Sequence, residues 1–387
     1  MHIMTPIQAH PPGKIWISAL LGCFSVVPLL IGPIITGVLI DAGDFSNREA
    51  GLTAAFGAIG TVSVALLCAL TMHHLSLRYL AIFGLFLAAP ANIGAALLYD
   101  HHQAFFALRT ITAFGDGAVY AAVMSSYARQ PNSEQCYGIF MMLQFGLAAI
   151  ALWALPTWLP DLSVSQLYLG MCTLNILGLL LVTSLPRKTA LSEGISIRAS
   201  EWRLLLAVPA MAGLLALCAF ETSNTGSDAF LERVAVFAGF SDEQIGLSLG
   251  VASLVGVPGA FAIFWVGSHF GHAKPIFAGV IVGAVSLVGL VLADGFYEFF
   301  AWTCIHSFTW AFTLPYIQSL LADMDAGGAV IAAGGLASGA GGGIGPATTG
   351  MLVTSTNYNG VLIVGLAAYL VTGLAVLVAW KSFSRPP

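Results

Sequence analysis

Charged residues are scarce in this sequence of 387 residues. Lysine, arginine, aspartate and glutamate make up 8% of the chain, against about 25% in an ordinary soluble domain. Hydrophobic residues make up 58%, and the mean hydropathy is +0.89. So few charged groups exclude an ordinary soluble globular protein, and the sequence predicts an integral membrane protein.

Basic tracts, paired cysteines and a cleavable leader are also missing. The net charge of −5 comes with no run of lysine or arginine, so nucleic-acid binding is not indicated. The six cysteines lie mostly in apolar runs without a CxxC spacing, which argues against a disulfide framework or a zinc site. The N-terminus lacks the charged region and cleavage site of a signal peptide. We expect buried thiols, no cofactor, no bound metal and no removed segment.

Apolar segments of about 20 residues, the length that crosses a bilayer, recur along the chain. The longest interior break divides six segments from six. The sequence therefore predicts an all-α membrane protein of twelve transmembrane helices: an N-terminal half at 1–185, a central loop at 186–202 and a C-terminal half at 203–387. The predicted spans are 15–40, 50–70, 79–98, 104–127, 137–158, 164–185, 203–230, 244–266, 275–293, 297–321, 328–353 and 360–380.

Lysine and arginine predict the orientation, because cytoplasmic loops of membrane proteins carry an excess of them. With the N-terminus inside, ten of these residues fall on the cytoplasmic side of the predicted spans, and only Arg48 and Arg233 fall outside. We therefore expect a multi-pass protein of the cell (inner) membrane with both termini in the cytoplasm.

The predicted fourth span is apolar but carries Arg109 and Asp116. Ionisable groups at membrane depth are costly and usually face a cavity or a partner, which makes them functional candidates. Their spacing of seven residues is almost two helical turns, so both side chains lie on one helix face about 10 Å apart.

A short turn after the second helix recurs in both halves, as TMHHLSLR at 71–78 and GSHFGHAK at 267–274. The second turn resembles the Gly-x-x-x-Asp-Arg-x-Gly-Arg-Lys cytoplasmic loop of the major facilitator superfamily. It retains Gly271 and Lys274 but has Ser268 where the aspartate is expected. In that family the loop locks the cytoplasmic ends of the two halves together.

A second resemblance to the same family lies in the fourth helix, where Arg109 is followed by Gly115 and Gly117. Together with two six-helix halves, these features make the whole chain similar to major facilitator transporters, whose site lies between the halves at mid-membrane. The resemblance implies a secondary active transporter without a cofactor, in which the first, fourth, seventh and tenth helices surround the cavity.

That arrangement implies roles for the sparse charges. Arg109, Asp116, Glu221 and His306 are the candidates for proton coupling or substrate binding. The depths of Arg109 and Glu221 match, so we predict that they approach each other when the outside is closed, whereas Asp228 is expected near the outer surface. The alternatives are structural: a helix–helix hydrogen bond for Asp116, a helix break for Glu221, and a backbone hydrogen bond for His306.

Other residues are secondary candidates for the cavity or a gate, namely Asp228, Asn224, Tyr120, Gln144 and Trp310. Packing is the competing interpretation for Trp310. Beyond the seventh helix, Ser241 is predicted to cap the eighth, with acidic residues in its first turn.

Prolines and glycines predict where helices break or pack closely. The first span contains Pro28 and the pair Gly32–Pro33, which predict a break. The eleventh span carries Gly335, Gly339 and Gly343, a spacing that lets helices approach.

These observations favour a monomeric, proton-coupled symporter that takes up a small, partly hydrophobic organic solute by alternating access, with an organic anion held by Arg109 as one case. A proton-driven multidrug or metabolite exporter is the alternative, and a metal transporter using His306 or a nontransporting receptor is more remote. An enzyme is not expected, because the FGDG stretch has Ala113 where intramembrane proteases, which it resembles, require glycine.

Overall fold

The computed structural model describes residues 12–71, 76–128, 130, 132–186, 205–267, 269–324, 329–354 and 356–383. Several predicted features lie outside these residues. They are Ser268, Arg129, most of the central loop, and the loop's basic residues Arg187, Lys188 and Arg198 with the adjoining Arg203.

Thirteen α-helices have bounds within the described residues. They are α1 (Pro12–Leu30), α2 (Gly32–Gly43), α3 (Asn47–Thr71), α4 (Leu77–Leu97), α5 (His102–Ala128), α6 (Ser133–Trp158), α7 (Val164–Leu181), α8 (Val208–Phe237), α9 (Asp242–Val266), α10 (Ala273–Val291), α11 (Phe296–Asp323), α12 (Ala329–Leu352) and α13 (Asn359–Phe383). A 3₁₀ turn, Val182–Ser184, follows α7. The predicted all-α fold is confirmed, with α1 and α2 forming the first of twelve spans.

The first span is two helices because Pro33 interrupts the backbone hydrogen bonds, whereas Pro28 lies inside α1. Pro33 has no N–H to donate to the carbonyl of Leu29, and the chain bends at Ile31 before α2 begins at Gly32. The proline punctuation therefore predicted this break correctly, and the predicted first span, 15–40, consists of two helices.

The beginning of α9 agrees with the sequence prediction. The Ser241 side chain accepts a hydrogen bond from the backbone of Gln244, whose own side chain bonds back to Ser241. This capping box satisfies two free N–H groups, and Asp242 and Glu243 add negative charge at the positive end of the helix dipole.

The seventh span is longer than predicted. The sequence placed its end at residue 230, but α8 continues to Phe237. Glu232 and Arg233, predicted to lie at the end of the span and in an external turn, are therefore buried within the helix. The extra turns also place Asp228 nine residues, or about 13 Å, before the end of α8.

Eight of the described helices are long and apolar enough to cross a membrane by composition alone. The long helices that miss this criterion are α5, α8, α11 and α12. The first three carry the ionisable site candidates, and the fourth is rich in glycine. Low hydropathy thus marks the three helices that carry the ionisable candidates, together with the glycine-rich α12.

Each half packs around a long helix. In the N-terminal half, α5 packs against α3 and α4, while in the C-terminal half α8 packs against α12 and α13. The halves meet through three main pairs, α2 with α8, α3 with α12, and α6 with α9. We use "termini side" for the face of the bundle at which α1 begins and α13 ends, and "far side" for the opposite face, where α2 ends.

Close backbone contacts join the halves toward the far side. A Cβ on Gly51 of α3 would overlap the carbonyl oxygen of Pro346 of α12, so only glycine permits this approach. Further along, Gly339 and Gly343 pack against Val62 and Ala58 of α3. The predicted close packing of the eleventh span is confirmed at these two positions.

Candidate functional site

Asp116 is buried in a network of amides inside the N-terminal half. Its Oδ1 accepts a hydrogen bond of 2.9 Å from Nδ2 of Asn175 on α7. Asn175 Oδ1 in turn accepts one of 2.7 Å from Nδ2 of Asn92 on α4. The network joins α4, α5 and α7, and sequence analysis missed both asparagines because each stands alone in an apolar helix.

Arg109 also points into the N-terminal half. Its guanidinium donates to Thr112 Oγ1 at 3.1 Å and lies 5.7 Å from the ring centroid of Tyr168 on α7. The space that it occupies is left by Gly57 of α3. The side chain is buried, and its Nε has no hydrogen-bond partner among the described residues. Arg109 and Asp116 therefore lie on one face of α5, as predicted. This face packs against the neighbouring helices of the same half.

The amide network gives a stability prediction. An Asn175→Leu variant leaves Asp116 and Asn92 without this partner, and an unsatisfied buried polar group costs about 1–3 kcal/mol. We expect its apparent melting temperature in detergent to fall by several degrees. Thr173→Val is the matched control, because Thr173 is exposed on the same helix and bonds only to its own helix at Leu169. Equal melting temperatures for the two variants would contradict a stabilising network.

Glu221 has neutral partners in the C-terminal half. Its Oε1 accepts a hydrogen bond of 3.2 Å from Ser338 on α12, and the Trp310 indole faces the same carboxylate. No ion pair joins Glu221 or Arg109 to another side chain in the part of the chain that the structure describes. The predicted Arg109–Glu221 pair is thus not formed, although the far-side ends of α2 and α8 are in contact.

His306 on α11 is held between two serines. Ser227 of α8 lies 3.2 Å from Nε2, and Ser286 of α10 lies 3.2 Å from Nδ1. Asn224 donates to the carbonyl of Phe220 and accepts from the Tyr369 hydroxyl at 3.1 Å. Both side chains are buried, and their bonds join α8 to α10, α11 and α13.

Asp228 and Tyr120 are exposed although both lie well inside long helices. On α8 the residues one turn away from Asp228, Asn224 and Glu232, are buried, so this helix face does not turn toward lipid. The nearest marked neighbour of the Asp228 carboxylate is Gly32, at the break between α1 and α2. Since Gly32 belongs to the N-terminal half and α8 to the C-terminal half, the Asp228 side chain lies between the halves. Gln144 of α6 is half-buried and has no hydrogen bond among the described residues.

A charge cluster that sequence analysis missed joins α2 to α8 at the far side. Arg233 Nη1 lies 2.6 Å from Asp41 Oδ1 of α2, and the same guanidinium pairs with the adjacent Glu232. The Glu232 carboxylate packs against Gly37 of α2, where an added Cβ would lie 2.6 Å from Oε2. Arg233 was predicted to be an external loop residue, so its place in a contact between the halves corrects that interpretation.

The turn before α10, which resembles the cytoplasmic loop of the major facilitator superfamily, contains a glycine in the left-handed conformation. Gly271 has a φ of 66°, a conformation that favours glycine, and Lys274 lies in the first turn of α10. His272 Nε2 and Asp323 Oδ2 of α11 are 2.8 Å apart, which ties this loop to its own half.

Two cavities on the flank of the C-terminal half are separate from these residues. One of about 550 Å³ lies between α10 and α11, and another of about 400 Å³ lies between α10 and α13. Neither is lined by a predicted site residue. Within the described residues, no three histidine, cysteine, aspartate or glutamate side chains are grouped as metal ligands.

Comparison with known proteins agrees with this geometry. The sequence profile of the Major Facilitator Superfamily matches residues 15–324. The chain belongs to this superfamily. It is therefore a multi-pass membrane transporter and not an enzyme. No curated protein matches the sequence significantly.

Solved superfamily structures resemble the whole chain. A mutant of the nucleoside transporter NupG is 14% identical with a TM-score of 0.77, and the match covers 95% of this chain and 99% of the NupG chain. A bacterial homologue of the human lysosomal transporter Spinster, inward-facing and unoccupied, has 14% identity and a TM-score of 0.71, covering 97% and 98%. The D-xylose–proton symporter has 14% identity and a TM-score of 0.70, covering 97% and 96%. At these identities the likeness is one of fold.

Proposed function

We propose that this protein is a proton-coupled secondary active transporter that moves a small, partly hydrophobic organic solute by alternating access. It functions as a monomer in the cell inner membrane, with the termini side in the cytoplasm, as the lysine and arginine distribution indicates. The observation that carries the proposal is that contacts between the halves lie near the far side while the buried carboxyl groups of Asp116 and Glu221 form no ion pair among the described residues. Uptake is the favoured direction. The solute and the protons move in the same direction, as in a symporter.

Alternating access needs halves that contact each other at one end only. The Arg233–Asp41 ion pair, the contact of Glu232 with Gly37, and the contact of Gly51 with α12 all lie near the far side. The cavity helices α5 and α11 are not among the helix pairs that join the halves substantially. The conformation fits a cavity that opens toward the termini side, which is the cytoplasm in our proposal.

Proton coupling rests on Glu221 and Asp116. Glu221 is buried against a hydroxyl and an indole, and Asp116 against an amide, so neither carboxyl has a directly paired cation. A carboxyl in such surroundings exchanges protons when its neighbours or its access to water change. Both lie on helices that the family architecture places beside the cavity.

The direction and the charge of the solute separate two candidates. Uptake of an organic anion requires Arg109 to turn out of its packing against Tyr168 and Thr112. A proton-driven exporter of cationic solutes needs no such rearrangement, because the acidic side chain of Asp228 is already exposed. The exposed carboxylate is the observation that favours this second candidate.

Reconstitution in liposomes tests the proposal. Wild-type protein is assayed with a nucleoside, D-xylose, a hydrophobic carboxylate and a hydrophobic amine, each with and without an imposed pH gradient. We expect one of these classes to accumulate only with the gradient. Transport of a solute at the same rate and to the same level without the gradient would refute proton coupling.

Glu221→Gln is expected to abolish gradient-driven accumulation and to retain exchange of the same solute across the membrane. The amide keeps the shape and a hydrogen bond to Ser338 but cannot carry a proton. Ser338→Ala is the control, because it removes a neighbour of Glu221 and leaves the carboxyl. Full accumulation by the Gln variant would exclude Glu221 as the coupling group.

A further inference from the structure

Asp228 is an exposed carboxylate without a partner, in a part of the chain where exposed charge is rare. No hydrogen bond or ion pair joins it to another described residue, although α8 contacts α2, α9, α11, α12 and α13. The adjacent residues Ser227 and Ala229 are buried. An exposed charge on an otherwise buried helix faces an internal, water-accessible space.

The backbone opposite Asp228 leaves room for a ligand. A Cβ added to Gly32 would lie 4.0 Å from Asp228 Oδ2, and no other described atom outside the turn's own backbone and the adjacent residues lies within 4 Å of that position. In the same turn Pro33 cannot donate to the carbonyl of Leu29, so this carbonyl lacks its usual helical donor. A carboxylate and a carbonyl oxygen are acceptors, and neither is a suitable partner for an anion.

The charge balance around this space is negative. Where α8 approaches α2, the described acidic side chains include Asp228, Glu232 and Asp41, and Arg233 pairs with the last two. Arg233 is already engaged by Glu232 and Asp41, which leaves Asp228 uncompensated. A cavity lined by low-dielectric protein concentrates this field and attracts cations.

The single arginine of the predicted site does not reverse this balance. Arg109 is 6% exposed and packs on Tyr168 within the N-terminal half, whereas Asp228 is open to the space between the halves. The accessible charge is therefore opposite to the one that an anionic solute requires.

We propose that Asp228 and the turn at Gly32 form a binding site for the positively charged group of a hydrophobic organic cation. This inference rests on the proposed transport function and specifies its substrate class. The carboxylate holds the cationic centre, and the surrounding apolar helices accommodate the hydrocarbon part.

A pair of probes with the same shape and opposite charge tests the site. Purified protein in detergent is titrated by equilibrium dialysis with tetraphenylphosphonium and, separately, with tetraphenylborate. We expect saturable binding of the phosphonium only. Asp228→Asn is expected to weaken it about tenfold or more, since the substitution removes the charge that pairs with the probe.

Asp161→Asn is the matched control, because Asp161 is exposed in the turn between α6 and α7. It is expected to bind tetraphenylphosphonium as the wild type does. Asp228→Glu keeps the charge and is expected to retain most of the binding, which separates loss of charge from misfolding. Preferred binding of tetraphenylborate, or wild-type affinity in Asp228→Asn, would overturn the proposal. Because dialysis requires neither a pH gradient nor transport, binding without gradient-driven accumulation would reject proton coupling alone.

Discussion

A Gly51→Leu variant is expected to lose nearly all transport while still folding into the membrane. Gly51 lies where the far-side end of α3 approaches α12. The carbonyl group of Pro346 occupies the space that a side chain at this position would need. Because both partners are backbone, no side-chain rotation relieves the overlap. The two helix ends must move apart, which disfavours the closed far side through the whole cycle.

Folding itself is expected to survive this substitution. Leucine is a better helix former than glycine by roughly 0.8 kcal/mol, and α3 is apolar enough to remain in the bilayer. Gly170→Leu is the matched control, because Gly170 is exposed on α7 and no atom lies within 4 Å of its added Cβ.

Two measurements check the Gly51 prediction. The first is the initial rate of gradient-driven uptake, expected to fall in Gly51→Leu and to remain in Gly170→Leu. The second needs no known substrate: a cysteine is placed at Gly32, the native cysteines are replaced, and a membrane-impermeant maleimide is applied from the far side. Labelling is expected to rise with Gly51→Leu. Wild-type transport and labelling together would show that the α3–α12 contact is not required for closure.

Some of this structure could be predicted because its cause is local in sequence. Apolar length predicts a span whatever surrounds it, Ser241 caps α9 through residues three positions away, and Pro33 breaks a helix by lacking an N–H. The glycine spacing in α12 also predicted close helix packing. It did not predict that α3 would be the packing partner.

The end of α8 could not be predicted in the same way. Hydropathy falls at Glu232 and Arg233, so the sequence favours a loop there. In the structure, Asp41 and Gly37 of α2 provide a partner and a space for this pair, and the helix continues. Asp41 lies almost 200 residues away in the chain, and no local pattern relates the two.

The predicted contact between Arg109 and Glu221 is not formed among the described residues, for a related reason. Helical spacing correctly placed Arg109 and Asp116 on one face, and counting residues matched the depths of Arg109 and Glu221. Neither argument determines which neighbour that face meets. Asn175 directs Asp116 toward the interior of its half, and Ser338 holds Glu221 within the other. Depth alone therefore did not predict a contact.

Arg233→Met is expected to open the far side, because Arg233 links the two halves and neutralises Glu232. Arg233 and Glu232 are buried, and Asp41 is largely exposed. Removing one partner of a buried pair typically costs about 3–5 kcal/mol, since the other charge stays without compensation. Even the lower value would shift the closed and open populations by roughly a hundredfold.

The cysteine at Gly32 reports this shift as faster far-side labelling in Arg233→Met. A double variant, Glu232→Met with Arg233→Met, is expected to slow the labelling again, because no unpaired charge then remains against Gly37 of α2. Arg48→Met is the control, since Arg48 is the other arginine predicted outside and forms no ion pair among the described residues. Labelling as slow in Arg233→Met as in this control would mean that helix packing, including the Gly51–Pro346 contact, holds the far side closed without the ion pair. Fast labelling in the double variant would instead show that the Asp41–Arg233 bond holds the far side closed. Replacing Glu232 removes the unpaired charge but does not restore that bond.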